Sequence, residues 1–107
     1  MKKYYKAISD FHKKFKMKNT NNEEMTFRLN LMTEELGELA QAVTKGKGRE
    51  AIIEENIDLL NLVIGNFVSL GISVKEVDEA FWKKHGEIMG RKKRLISGEN
   101  FRISDFK

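Results

Sequence analysis

The sequence contains no cysteine, no proline and only two histidines among its 107 residues. Without cysteine, neither a disulfide framework nor a thiolate zinc site can form, and two histidines are too few for a histidine-rich metal site. No apolar run approaches the ~20 residues that a membrane-spanning helix needs, and the N-terminal segment lacks the apolar core of a signal peptide. With a length typical of one domain, these absences predict a single soluble domain in the cytoplasm, with no membrane partner.

The absence of proline leaves long helices uninterrupted. Apolar and charged residues recur at three- and four-residue spacing, which predicts four helices at about 2–16, 23–45, 49–70 and 74–94 and an irregular tail at 95–107. The short connections predict an all-α, antiparallel four-helix bundle forming one domain over 1–107. The third helix is apolar around most of its circumference, so we expect dimerisation to complete the bundle, as a homodimer or a homotetramer.

The net charge of +4 is distributed unevenly along the chain. Residues 1–18 hold seven bases and one acid, a net charge of +6, and residues 75–107 hold nine bases and six acids, a net charge of +3. Between them, residues 23–58 hold nine acids and four bases, a net charge of −5. A nucleic-acid-binding protein presents a basic face without a dense acidic block in its middle, so this distribution argues against a nucleic-acid partner.

The acidic block is concentrated on two predicted helices. The two groups of carboxylates are Glu34, Glu35 and Glu38 on the second helix, and Glu54, Glu55 and Asp58 on the third. Within each group, carboxylates three and four residues apart project from one face of the helix. A solvated acidic surface is the simpler interpretation, but apolar residues bracket the acids and favour partial burial. A set of oxygen ligands without histidine or cysteine favours Mg²⁺ or Mn²⁺. A ferritin-like di-iron site is disfavoured, because it uses Glu-x-x-His pairs and these acidic groups contain no histidine.

The spacing of these acids resembles a known motif. Glu35-x-x-Glu38 is followed by sixteen residues and then Glu55-x-x-Asp58, within a context that continues Asp58-Leu-Leu-Asn-Leu-Val-Ile-Gly65. Over about residues 4–94 the chain resembles the MazG-like all-α nucleoside triphosphate pyrophosphohydrolases, a superfamily that includes dimeric dUTPases and phosphoribosyl-ATP pyrophosphohydrolases. The resemblance implies Mg²⁺-dependent cleavage of a nucleoside triphosphate to the monophosphate and pyrophosphate, with Mn²⁺ as a substitute ion.

The resemblance also implies roles for individual residues. It implies that Glu35, Glu38, Glu55 and Asp58 are the metal ligands and that Glu34 activates the attacking water. It implies no role for Glu54, which we interpret as structural or as a neighbour of the ligands.

Three further residues are candidates for substrate binding. Asn61 lies one turn after Asp58, where many close relatives of the family carry an aromatic residue, and can reach phosphate or sugar. Lys84 and Arg91 are candidates for contacts with the triphosphate, Arg91 offering two parallel hydrogen bonds. The alternative for both cations is a solvated position near the end of a helix, where the helix dipole favours positive charge.

The remaining aromatic and histidine residues are interpreted as structural. We expect four aromatic residues to lie in the core, although one of them can stack on a base; they are Phe11, Phe15, Phe27 and Trp82. His12 and His85 are interpreted as structural or as edges of the site. Two other functions stay open at this point: a catalytically idle helical module that retains a metal, and a helical bundle that binds nucleic acid through its basic ends.

Overall fold

The computed structural model describes residues 1–17, 22–97 and 100–104, with side-chain surroundings for residues 1–17 and 24–91. The four predicted helices are confirmed, and two strands follow them. In chain order the elements are α1 (Lys2–Lys14), α2 (Asn22–Thr44), α3 (Arg49–Ser69), α4 (Val74–Met89), β1 (Lys92–Ser97) and β2 (Asn100–Ser104). The chain divides into two compact units, residues 1–74 and residues 75–107, which are described separately.

Each of the first three helices ends in a left-handed residue. Gly46 (φ 61°) follows α2 and Gly71 (φ 67°) follows α3, as expected of glycine at a helix C-terminus. After α2, the amide of Lys47 donates to the carbonyl of Ala42 at 3.0 Å, which closes a Schellman motif. Lys16 (φ 55°) occupies the equivalent position after α1, at a cost of about 1–2 kcal/mol for a residue with a side chain.

In the first unit, α1 and α2 both run antiparallel to α3 and pack against it. Ser69, near the end of α3, donates to Glu24 near the start of α2 at 3.2 Å. The hydroxyl of Tyr5 on α1 donates to the carbonyl of Ile72, just after α3, at 2.7 Å. The buried apolar side chains among the described residues of the first unit are Ile64 and Val68 on α3 and Ala42 near the end of α2.

A buried polar network joins α2 to α3. Arg28 is only 3% exposed and donates to Glu24 at 2.9 Å and to Asn66 at 3.4 Å. Ser69, which is fully buried, donates to the second oxygen of the same Glu24 carboxylate. A buried charge is tolerated only when it is paired and hydrogen-bonded, and this arrangement meets both conditions.

Gly65 lets this network approach α3 closely. A Cβ at this position would lie 3.0 Å from Nε of Arg28 and 3.4 Å from Nε2 of His12. A Cβ at Gly37, in the interior of α2, would meet no neighbouring atom within 4 Å. The two glycines therefore share a helical backbone but differ in the space around them.

We expect Gly65→Ala to destabilise the chain by about 1–3 kcal/mol, because Arg28 is held by its ion pair and cannot move aside cheaply. Gly37→Ala should instead stabilise it by about 0.5–1 kcal/mol, the normal advantage of alanine over glycine in a helix. Urea unfolding of both variants measures the difference. Equal effects of the two substitutions would contradict the close packing at Gly65.

An apolar stripe on the outside of the first unit stays exposed. Leu29, Leu36 and Val43 on α2 are 52%, 58% and 57% exposed, and Ile53 and Ile57 on α3 are about half exposed. This stripe is the surface that the predicted dimer would cover, and dimerisation stays a prediction. Taken singly, none of the described helices is long and apolar enough to cross a membrane. Only when α3 and α4 are counted together, as a bent pair, do length and composition reach what a membrane span needs.

The C-terminal part of the second unit differs from the prediction of a helix to residue 94 and an irregular tail. The fourth helix ends at Met89 rather than near residue 94, and β1 pairs with β2 as an antiparallel hairpin. Gly86 and Gly90 weaken the last helical turn, and apolar residues alternate with polar ones along β2. In the ladder, Phe101 of β2 is paired with Leu95 of β1. The prediction of helix up to residue 94 and of an irregular segment from residue 95 was therefore wrong for the described part of this segment.

Candidate metal centre and adjoining cavity

The antiparallel pairing of α2 and α3 brings three of the predicted metal ligands together. One carboxylate oxygen each from Glu35, Glu55 and Asp58 lies within 4.8 Å of the other two. All three side chains are half-buried. Because Glu55 and Asp58 are three residues apart on one helix, they face the same neighbour on α2.

Two oxygen atoms of the cluster are buried without a partner. Oε2 of Glu35 and Oε2 of Glu55 are shielded from solvent and accept no hydrogen bond from any described residue. A buried acceptor left unsatisfied costs about 1–3 kcal/mol, and more when it is charged. A divalent cation held by carboxylate oxygens would remove that cost, so the residues present fit such an ion.

The cluster shifts the proton affinity of its members. Burial, and then the charges of Glu38 and Asp58, raises the pKa of Glu35 to about 7. Burial, and then a hydrogen bond with Glu38, raises the pKa of Glu55. Glu38 itself is exposed, yet it acts on both neighbours and therefore borders the cluster. These shifts show that negative charge is crowded in the metal-free site.

We expect the metal-free protein to lose stability as the pH rises from about 4.5 to about 7. In that range the folded chain keeps protons that the unfolded chain releases, so the stability contributed by Glu35 and Glu55 is complete at the lower pH and lost at the upper. The melting temperature in EDTA should fall across this range, and Mg²⁺ should reduce the fall. Glu35→Gln should flatten the EDTA profile, whereas a rise in melting temperature over this range would contradict the crowding.

The other predicted site residues are described each within its own unit. Glu34 is exposed on α2, next to Glu35 in the chain. Asn61 is one turn beyond Asp58 on α3 and lines a cavity. Lys84 on α4 pairs with Glu87 at 3.1 Å, and Arg91 is half-buried just after α4. Because Lys84 and Arg91 belong to the second unit, their contacts with a substrate stay predictions.

A cavity of about 340 Å³ lies between α1, α2 and α3, beside the acidic cluster. Its polar lining consists of His12, Glu24, Arg28 and Asn61, and the rest is apolar or aromatic: Ile8, Phe11, Met17, Phe27, Leu31 and Leu62. Phe11, Phe15 and Phe27 are 48%, 60% and 65% exposed, so their interpretation as core residues was wrong. Trp82, which was also assigned to the core, is 64% exposed.

At the far end of this cavity, the interpretation of His12 as structural or as an edge of the site is confirmed, but sequence reasoning missed the buried pair of Arg28 and Glu24. His12 is 3% exposed, and its Nδ1 has no hydrogen-bond partner among the described residues. Arg28 and Glu24 pair across one helical turn, a spacing that occurs on many solvated helices. One sequence signal could have indicated that Arg28 is buried. Arg28 lies one helical turn before Leu31 and two turns before Glu35, and therefore on the face of α2 that contacts α3.

Comparison with known proteins agrees with this geometry. A family model described as phosphoribosyl-ATP pyrophosphohydrolase matches residues 1–85, which include the acidic cluster and the whole lining of the cavity. No curated protein and no solved structure gives a significant match. The match confirms the resemblance carried by the acidic motif. The chain belongs to the phosphoribosyl-ATP pyrophosphohydrolase family, which is part of the all-α, MazG-like nucleoside triphosphate pyrophosphatase superfamily.

Proposed function

We propose that this chain hydrolyses the anhydride between the α and β phosphates of a nucleoside triphosphate, releasing the monophosphate and pyrophosphate. The observation that carries the proposal is the cluster of Glu35, Glu55 and Asp58, with its two unpartnered buried oxygens. Membership in a family of nucleotide pyrophosphohydrolases supports the same reaction.

Glu35, Glu38, Glu55 and Asp58 would hold Mg²⁺, with Mn²⁺ as a substitute, because all four offer only carboxylate oxygens. When bound, the ion supplies positive charge that neutralises the phosphate oxygens during cleavage. Without it, the same carboxylates would repel the triphosphate. The acidic cluster is therefore suited to a polyanionic substrate only when it carries cations.

Glu34 is suited to accept the proton of the attacking water. Its carboxylate is solvent-exposed and adjoins Glu35 in the chain, so water reaches it freely. The water oxygen forms a bond to phosphorus, the bond from that phosphorus to the bridging oxygen breaks, and the leaving phosphate takes the electron pair. The proton of the water passes to Glu34, which acts as a general base.

Substrate binding beyond the metal centre is proposed from the remaining polar residues. Asn61 lies one turn from Asp58 and reaches toward the cavity, where sugar or phosphate would pass. Lys84 and Arg91 would neutralise the outer phosphates. The exposed apolar stripe along α2 and α3 would be covered by a second copy of the chain, as a homodimer or a dimer of dimers. The family name points to phosphoribosyl-ATP as one substrate, and an unsubstituted nucleoside triphosphate is the other candidate.

Pyrophosphate release is the test of this proposal. Wild-type protein should release pyrophosphate from at least one member of a panel of ribo- and deoxynucleoside triphosphates and phosphoribosyl-ATP, in Mg²⁺ or Mn²⁺ but not in EDTA. Inactivity across the panel, with a melting temperature that Mg²⁺ still raises, would favour an idle metal-binding module instead. A steep salt dependence of DNA or RNA binding is what a nucleic-acid-binding bundle would require.

A further inference from the structure

The buried polar network and the acidic cluster lie on one seam between α2 and α3. The facing pairs of this seam are Glu24 with Ser69, Arg28 with Gly65, and Glu35 with Asp58. Along α2 these residues are four and then seven positions apart, and their partners on α3 have the same spacing in the opposite direction. Such spacing keeps side chains on one face of a helix, so a change in the fit of one pair is transmitted to the next.

Side-chain contacts hold the two helices together at the end that their connection leaves open. Residues 45–48 join the end of α2 to the start of α3, so the start of α2 and the end of α3 have no such link. The hydrogen bonds that cross between the helices there include Ser69 to Glu24 at 3.2 Å, Arg28 to Asn66 at 3.4 Å, and Asn66 to the sulfur of Met32 at 3.4 Å. Arg28 and Ser69 are both buried, so water does not compete for their bonds.

Gly65 sets the distance between the helices at this end. A Cβ on Gly65 would lie 3.0 Å from Nε and 3.3 Å from Cδ of Arg28, so a larger residue would push α2 away from α3 or displace the arginine. The ion pair with Glu24 holds the arginine in place. The smallest residue therefore faces a large buried one, and together they fix the spacing.

The acidic cluster lies between this contact and the connection. Glu35 is seven residues from Arg28, about 10 Å along the helix axis. Carboxylate oxygens of Glu35, Glu55 and Asp58 lie within 4.8 Å of one another, so in the absence of a cation their charges push α2 and α3 apart. Two helices joined at one end separate under such a force unless the other end is held.

Resting on the proposed function, we infer that Arg28 and Gly65 are positioning residues for the metal centre. They act from two helical turns away, by holding α2 at the distance from α3 at which Glu35 and Asp58 reach one ion. Buried polar residues fix the arrangement of paired helices in other proteins. Because a metal ion requires ligand distances correct to within about 0.2 Å, a small increase in helix spacing lowers affinity while every ligand stays in the chain.

Binding of Mn²⁺ tests this inference without turnover. EPR measures free Mn²⁺ in the presence of each variant, at a temperature far below its melting temperature, so that the protein is folded throughout. We expect Gly65→Ala to raise the Kd for Mn²⁺ about tenfold, the effect typical of losing a residue that supports a metal ligand.

Gly37→Ala is the matched control for this substitution. Gly37 lies between Glu35 and Glu38 in the chain, much nearer to the ligands than Gly65, but a Cβ there would meet no neighbouring atom within 4 Å. Its Kd should stay within about twofold of wild type. The remote glycine therefore matters and the adjacent one does not.

Tyr5→Phe controls for a loss of stability alone. It removes the hydrogen bond from Tyr5 on α1 to the carbonyl of Ile72, and so destabilises the first unit without changing the seam between α2 and α3. Its Kd for Mn²⁺ should equal that of wild type, because the measurement is made on folded protein.

Arg28→Met combined with Glu24→Gln separates positioning from stability at the other member of the pair. Removing both charges together avoids a buried unpaired charge, but the flexible methionine does not donate to Asn66 and holds α2 less firmly. We expect the Kd for Mn²⁺ to rise about tenfold, even though this double variant is more stable than Arg28→Ala.

The outcomes separate this inference from the proposed function. Wild-type affinity in Gly65→Ala or in the double variant would overturn the inference and leave the proposed function intact. Equal weakening by Gly65→Ala and either control, Gly37→Ala or Tyr5→Phe, would also overturn it. If wild-type protein binds no Mn²⁺ at millimolar concentration, the metal centre itself is refuted, and the proposed function and the inference fail together.

Discussion

Replacing Asp58 by asparagine should reduce pyrophosphate release more than 100-fold in saturating Mg²⁺. Losing a group that only supports a metal ligand costs about 10–100-fold in metal affinity or activity, so losing a ligand itself should cost more. The fold should survive, because Asp58 lies in a cluster of like charges that raises the pKa of Glu35. In EDTA, near neutral pH, the Asp58→Asn protein should melt no lower than wild type, since one repulsive charge is gone.

The matched control for this substitution is Glu50→Gln. Glu50 is an exposed carboxylate in the first turn of the same helix, outside the acidic cluster. We expect it to keep activity within about twofold of wild type, because it adds a favourable charge at the helix N-terminus, worth about 0.3–1 kcal/mol to stability. Full activity in both Asp58→Asn and Glu38→Gln would refute the assignment of the metal ligands.

The acidic cluster could be predicted from the sequence because its geometry is local. Residues three apart on a helix share a face whatever the rest of the chain does, so Glu55 and Asp58 had to point the same way. A single further condition, a short connection between two helices, places Glu35 opposite them in an antiparallel pair. The connection of residues 45–48 meets that condition, and the structure brings the three carboxylates together.

The buried network and the cavity could not be predicted in the same way. Arg28 is buried because it donates a hydrogen bond to Asn66, 38 residues further along the chain, and because Gly65 leaves room for its side chain. Nothing in the local pattern of α2 specifies those partners. Phe27 illustrates the opposite error, since an aromatic residue in a helical pattern was assigned to the core and is 65% exposed. Hydrophobic residues tend to be buried, but a large part of any protein surface is still apolar.

The C-terminal segment shows how weak helix signals compete. A run of basic residues at 91–94 is compatible with a helix, and the preceding helical pattern favoured extending it. The two glycines at positions 86 and 90 and the Ser-Gly-Glu-Asn sequence at 97–100 are hairpin and termination signals. Pairing of β1 with β2 satisfies backbone groups along both strands, and that cooperative gain outweighs the high helix propensity of the arginines and lysines in the basic run.

Removing the guanidinium of Arg28 should destabilise the chain far more than removing a solvated cation at the same helical spacing. Arg28 and Glu24 are four residues apart, and Nη2 of Arg28 lies 2.9 Å from Oε1 of Glu24. Their side chains are 4% and 14% exposed. Arg28→Ala leaves a largely buried carboxylate without its cation, which costs about 3–5 kcal/mol in free energy of unfolding. The midpoint of urea unfolding measures that loss.

The chain contains its own control for this prediction. Lys6 and Asp10 are also four residues apart and 2.8 Å from each other, but their side chains are 77% and 56% exposed. Lys6→Ala should therefore cost less than about 1 kcal/mol. If Arg28→Ala does not fold, Arg28→Met combined with Glu24→Gln removes both charges and should recover much of the lost stability. Equal effects of Arg28→Ala and Lys6→Ala would show that burial does not set the strength of the Arg28 pair.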